Sequence, residues 1–231
     1  MRLPVKHNIS VTNIFCVIGK PGAGRRTILK NIMNRTDFIE KYDISRFVYG
    51  TTRSMNPYDV EGETYHFMTH DEFENLDPEQ IIESRSYDPI FGDPFEYFTL
   101  INHIKLGHNY IGKVSPFQYA ELKKWASKTQ IKLPLTKINI YPVIVSAPIF
   151  VREKRMINQA SCEQDVYVMC TKLIGERYEF STVTKENPEI ADFSNPNTLQ
   201  IDNSKIDKSN VILLCNELEK FIEKKIILQG I

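Results

Sequence analysis

The 231-residue chain has no excess of either charge, because 29 Lys and Arg stand against 29 Asp and Glu. No global field therefore draws it to nucleic acid or to an anionic membrane, and any anion site must be built locally. Cysteine is sparse: Cys16, Cys162, Cys170 and Cys215 are scattered without metal-ligand spacing, which points to reduced cytosolic thiols and not to a disulfide framework. Long apolar runs are missing too. No segment is long enough to cross a bilayer, and the opening "MRLPVKHNISVTN" lacks the apolar core of a secretion signal. The expectation is a soluble, cytoplasmic protein with neither a membrane nor a nucleic-acid partner. There is no internal repeat and no low-complexity segment.

What is present is the pattern of one α/β domain of ordinary size preceded by a short polar extension over residues 1–12. "IFCVI", Ile14 to Ile18, is an uninterrupted apolar run of the kind found in strands covered on both faces. A glycine-rich stretch follows, and then Ile28, Leu29, Ile32 and Met33 fall on one helical stripe. Further on, "RFVYGTT" and "TYHFMT" read as short strands around the turn-rich "MNPYDVEG", an inserted, hairpin-containing region. Thr69 and Glu72 form a capping box that opens a short helix. "NYIGKV" and "KINIYPVIVSA" read as strands with "PFQYAELKKWASK" as a helix between them. "NTLQID" reads as a last strand, and Val211, Leu214, Cys215, Leu218, Phe221 and Ile222 as the inner face of a closing helix. Alternation of strands and helices predicts a mostly parallel sheet with flanking helices. The polar, helix-prone segment from about residue 150 to 185 reads as a mobile helical lid.

The glycine stretch "GKPGAGRRT" lies one or two substitutions from a phosphate-binding loop. In G-x-x-x-x-G-K-[ST] the glycines let backbone N–H groups wrap phosphates, the Lys bridges them and the hydroxyl ligates Mg²⁺. Gly19 and Gly24 have the required separation, with Lys20, Gly22 and Ala23 between them. Arg25 stands at the Lys position and Arg26 at the hydroxyl position, with Thr27 one residue too late. One residue is roughly 100° around a helix, so Thr27 does not point where the hydroxyl belongs. Arg25 keeps the charge, but its planar fork differs in shape from a slim ammonium. A plain glycine turn joining strand to helix is the competing reading of this loop alone. Against it stands the helix N-terminus, whose free N–H groups already favour an anion. Lys20, at the second loop position, is also open to a reading in which it reaches across a dimer.

The stretch "YGTTRSMNPYDVEGETYHFMTHDEFENL", Tyr49 to Leu76, strongly resembles guanylate kinase, whose members read T-T-R-x-x-R-x-x-E-x-x-G-x-x-Y-x-F before an acidic, Phe-containing helix. Thr51, Thr52, Arg53, Asp59, Gly62, Tyr65, Phe67 and Phe73 fall in register, and "CTKLIGERYEFS" resembles a second family stretch. The resemblance implies a P-loop nucleoside monophosphate kinase fold over residues 13–231, with a GMP-binding subdomain at about 45–100 and the lid at about 150–185. It implies that Arg53, Tyr65 and Tyr97 hold the GMP phosphate, that Glu83 accepts from guanine N1–H and the 2-amino group, and that Thr99 donates to O6. Tyr97 and Thr99 align only with an insertion across "YDPIFGDPF". Taken alone, Tyr65 in an alternating strand reads as a packing residue and Glu83 as a solvated charge.

On the donor side the resemblance implies ATP held by the loop residues from Gly19 to Thr27 and by Asn203 near the adenine. It implies Mg²⁺ with ATP, and Arg25, Arg155 and Lys172 around the transferring phosphoryl group. The departures fall on both sides. Asn56 replaces a phosphate-clamping Arg, Gln159 and Thr171 replace lid arginines, and Ser115 ends a strand where the family commonly has an acidic residue. Two readings stay open: phosphotransfer from ATP to GMP or a related monophosphate, impaired to some degree, and an inactive binding module that keeps the GMP-side pocket.

Overall fold

Structure is described, in a computed structural model of the chain, for residues 9–56, 59–88, 93–163, 165–167, 169–171, 173–175, 180, 195–205 and 208–228. The apolar run of the first strand, β1 (Ser10–Ile18), is buried from Thr12 onward. It lies at the middle of a five-stranded sheet of order β2-β7-β1-β8-β9, with β2 (Ile44–Arg46), β7 (Asn109–Lys113), β8 (Thr136–Ser146) and β9 (Leu199–Asp202). Every pairing in this sheet is parallel. Alternation along β1 divides the core: Phe15 and Val17 face one layer, while Ile14, Cys16 and Ile18 face the other.

The first layer holds α1 (Arg25–Met33) and the closing helix α6 (Lys208–Ile227). Ile28, Leu29 and Ile32 of α1 meet Leu214, Cys215, Leu218 and Ile222 of α6, so both predicted stripes are core faces. Each buried Ile or Leu contributes about 1.5–3 kcal/mol. A short helix, α2 (Thr36–Lys41), adds Phe38 and Ile39 at the margin. The second layer is α4 (Pro116–Lys132), capped by a Ser115–Gln118 box and packed through Tyr119 and Leu122.

Between β2 and β7 the chain builds a second sheet of order β4-β3-β6-β5, from β3 (Gly50–Thr51), β4 (His66–Phe67), β5 (Ile81–Tyr87) and β6 (Phe95–Leu100). The Thr69–Glu72 capping box is present and opens α3 (His70–Glu74). The hairpin is elsewhere than expected. β3 and β4 run parallel, and "RFVYGTT" divides between the two sheets, whereas the antiparallel hairpin is β5 with β6, and β6 also pairs antiparallel with β3. "YDPIFGDPF" therefore links β5 to β6, and Glu83 stands opposite Thr99. After β8, α5 (Ile149–Ile157) opens the polar segment, and the described residues from 163 to 175 lie in helix. No helix among the described residues is long and apolar enough to cross a membrane.

Candidate active site

The carboxyl ends of β1, β7, β8 and β9 point to one edge of the parallel sheet, where ligands bind in folds of this class. The glycine loop leaves β1 at that edge and turns into α1. Gly22 and Gly24 sit at φ +76° and +99°, backbone that side chains rarely adopt, and a Cβ on Gly24 would collide with the Asn203 amide. The loop is held from behind. Arg155 Nη1 donates to the carbonyls of Gly22 and Ala23 at 3.3 Å, and its Nη2 donates to those of Asn203 and Lys205. Arg152 Nη1 donates to the Pro21 carbonyl at 3.0 Å, and Asn203 Nδ2 to that of Ala23 at 2.8 Å. Two predicted site residues, Arg155 and Asn203, thus grip the loop backbone, and the buried Arg152 joins them.

α1 begins without a capping side chain and without an acidic residue in its first turn. Arg25 and Arg26 occupy that turn instead, at the positive end of the helix dipole. Lys20 lies 5.6 Å from the centre of the Phe180 ring, which brings the end of the polar segment to the loop. Thr27 is exposed, and Lys172 lies outside the described residues. The protein ligands for Mg²⁺ do not fit: a guanidinium stands at the hydroxyl position, and among the described residues no group of three His, Cys, Asp or Glu converges on a point.

The second sheet presents a different surface. Arg53 Nη2 pairs with Asp59 Oδ2 at 2.8 Å, and its Nη1 donates to the Ser54 carbonyl. Its guanidinium lies over the rings of Tyr65 at 5.2 Å and Phe67 at 5.7 Å. Burial raises the Asp59 pKa, but the bonds from Arg53 and the Asn56 amide outweigh it and hold the carboxyl below the usual range. Tyr65 stacks on Tyr97 at 5.5 Å, and Tyr49 meets both edge-on. Burial, with Tyr65 next to it, pushes the Tyr97 hydroxyl up, so it remains a protonated donor.

Glu83 is buried at 5% exposure. Its Oε1 accepts from Thr99 Oγ1 at 2.7 Å and from Gln118 Nε2 at 3.1 Å. Its Oε2 is buried with no partner among the described residues. Burial raises the Glu83 pKa and the two hydrogen bonds work against that rise. The predicted substrate residues therefore form two groups, Arg53, Tyr65 and Tyr97 on one side and Glu83 with Thr99 on the other. Tyr49 connects them, because it touches the tyrosines and lies in the fields of Arg25 and Glu83.

The sequence pattern of the guanylate kinase family matches residues 11–109. A guanylate kinase of Histophilus somni is 30% identical over 159 residues, 67% of this chain and 68% of that protein. The chain belongs to the guanylate kinase family. A further guanylate kinase, from Lactiplantibacillus plantarum, is 33% identical over 81 residues, 37% of its length. A crystal structure of guanylate kinase from Anaplasma phagocytophilum superposes over 94% of this chain and 87% of its own, with a TM-score of 0.52 at 14% identity, which shows the shared fold.

Several residues at the candidate site carry little or no local signal in the sequence. Gln118 and Arg152 look like ordinary helix-surface residues until packing buries them. Asp59 was legible only as a motif letter. Lys113 ends β7 beside Val17 of β1, and the one available clue was a lysine closing the apolar stretch "YIGKV".

Proposed function

We propose that this member of the guanylate kinase family binds GMP, or a related guanine monophosphate, on the second sheet and transfers to it the terminal phosphoryl group of ATP held at the glycine loop, releasing ADP. The observation that carries the reading is the unpartnered Oε2 of Glu83, a buried acceptor that lacks a donor. Such an atom costs about 1–3 kcal/mol unless a ligand satisfies it. Guanine offers N1–H and a 2-amino group on one edge; adenine lacks that pair. Thr99 and Gln118 fix the carboxylate so that its second oxygen is the one left for the base. Arg53, oriented by Asp59, and the hydroxyls of Tyr65 and Tyr97 supply donors for the monophosphate.

On the donor side, Arg25, Arg26 and the N-terminus of α1 make a cationic mouth suited to phosphate oxygens. Arg155 acts in this reading as a positioning residue, because its donors set the curvature of the loop and not the charge at the phosphoryl group. Transfer needs positioning and charge stabilisation, with no covalent intermediate on the protein. A second reading, a binding module without transfer, is favoured by the misfit of the Mg²⁺ ligands.

The test is ADP formation from ATP with GMP, dGMP, AMP, CMP and UMP offered separately, together with calorimetric titration of GMP. Turnover with GMP that disappears in Glu83→Ala supports transfer. GMP binding without turnover selects the binding module. Folded wild-type protein that binds no guanine nucleotide overturns both.

A further inference from the structure

The glycine loop lacks its lysine, but a lysine stands beside it. Lys113 is the last residue of β7, paired in parallel register with Val17, two residues before Gly19. Its Nζ lies 5.9 Å from the centre of the Tyr49 ring. Tyr49 in turn touches Tyr65 and Tyr97 of the monophosphate side. Lys113 therefore sits between the two halves of the cleft.

The groups around it share one sign. Arg25 and Arg26 from α1 and Arg46 from the end of β2 all act on Lys113 as like charges. Among the described residues no carboxylate and no hydrogen-bond acceptor pairs with Nζ. A half-buried ammonium among three guanidinium groups is an arrangement that a polyanion completes.

We infer that Lys113 is the ammonium that holds the transferring phosphate, supplying from β7 the cation that the loop itself lacks. This rests on the nucleotide reading of the same cleft, and it names a residue that the family's loop motif does not contain. An ammonium on a slim stem enters between phosphates where the wide fork of Arg25 does not. Burial first, and then the three arginines, lower its pKa to about 8.

The sign of the effect follows. A bound phosphate favours the charged form, so affinity is full below about pH 8 and falls as pH rises through it. In the free protein the charged form is disfavoured relative to the unfolded chain. That penalty is present in full below the folded value and is relieved as pH rises toward 10.5.

The experiment uses the full chain and inorganic tripolyphosphate, titrated calorimetrically at pH 7 and 9.5 against wild type, Lys113→Met and Lys113→Arg. Comparison among the three proteins removes the probe's own titration. Lys113→Met is expected to bind roughly 10- to 100-fold more weakly at pH 7. It is also expected to raise the midpoint of thermal unfolding of the free protein by about 2–4 °C. Lys113→Arg, charged at both pH values, should lose the alkaline drop that wild type shows. Unchanged affinity in Lys113→Met, or an alkaline drop that survives in Lys113→Arg, overturns the inference. A lower unfolding midpoint with unchanged affinity would reduce Lys113 to a packing residue. If GMP binding that depends on Glu83 persists in those cases, the nucleotide reading stands while the role of Lys113 falls. Wild-type protein that binds neither tripolyphosphate nor GMP removes both.

Discussion

The two halves of the cleft are built on opposite principles. On the second sheet nearly every polar group has a partner: Arg53 has Asp59, and Glu83 has Thr99 and Gln118, with a single acceptor oxygen left over. At the glycine loop two arginines occupy the first turn of a helix that has no capping side chain and no acid in that turn. A balanced site recognises through one remaining atom and is already shaped for it. A helix N-terminus that carries arginines favours an anion, and it selects charge more than shape.

The largest expected effect sharpens that contrast. Arg53→Met removes the oriented guanidinium, and GMP affinity should fall roughly 10²-fold, the worth of a charge-assisted phosphate contact, while tripolyphosphate affinity stays within a few-fold. Equal losses for both ligands in calorimetry would erase the division between the halves. The pH dependence comes next. Burial raises the Glu83 pKa above the ordinary glutamate value of 4.5, and only the ionised form accepts from guanine. GMP affinity should therefore weaken on acidification at a higher pH than an ordinary glutamate would dictate, by up to about tenfold per pH unit. In Glu83→Gln this acid limb should vanish, and a limb that survives assigns it to another group.

A smaller effect concerns the backbone grip. Arg155→Met leaves the carbonyls of Gly22, Ala23, Asn203 and Lys205 without their shared donor, at a cost of about 1–3 kcal/mol. Thermal unfolding should shift down by several degrees, and tripolyphosphate affinity should fall because the loop loses its curvature. A normal unfolding midpoint with lost transfer would instead place Arg155 on the phosphoryl group. The smallest effect belongs to Arg26→Ser. Removing one exposed cation from the dipole's positive end should stabilise the free protein by only about 0.3–1 kcal/mol. The same change restores a hydroxyl at the Mg²⁺ position, so the response of ATP binding to Mg²⁺ should increase.

Much of the fold could be read from periodicity. Two covered strands, the stripes of α1 and α6 and the Thr69–Glu72 box depend on neighbours within about one turn of chain, and such patterns survive without knowledge of the tertiary structure. The β5–β6 hairpin was not legible, because "IIESRSY" mixes polar and apolar positions and its burial is set by α4 and the first sheet. Within the candidate site, Arg53, Tyr65 and Glu83 were visible as letters of a motif, but the residues that hold them in place were not. Gln118 is 35 positions from Glu83, and Asn203 is 180 from Ala23.

The sequence by itself determined the family, the parallel α/β core and the departures at Arg25 and Arg26, since each is written in local order and residue type. Only the tertiary structure decided which oxygen of Glu83 is left for a ligand, that Arg155 and Asn203 hold the loop from behind, and that Lys113 stands among three arginines at the end of β7. The physical reason is that hydrogen bonding and desolvation act through space over a few ångströms. The chain brings such groups together from positions that no local pattern connects.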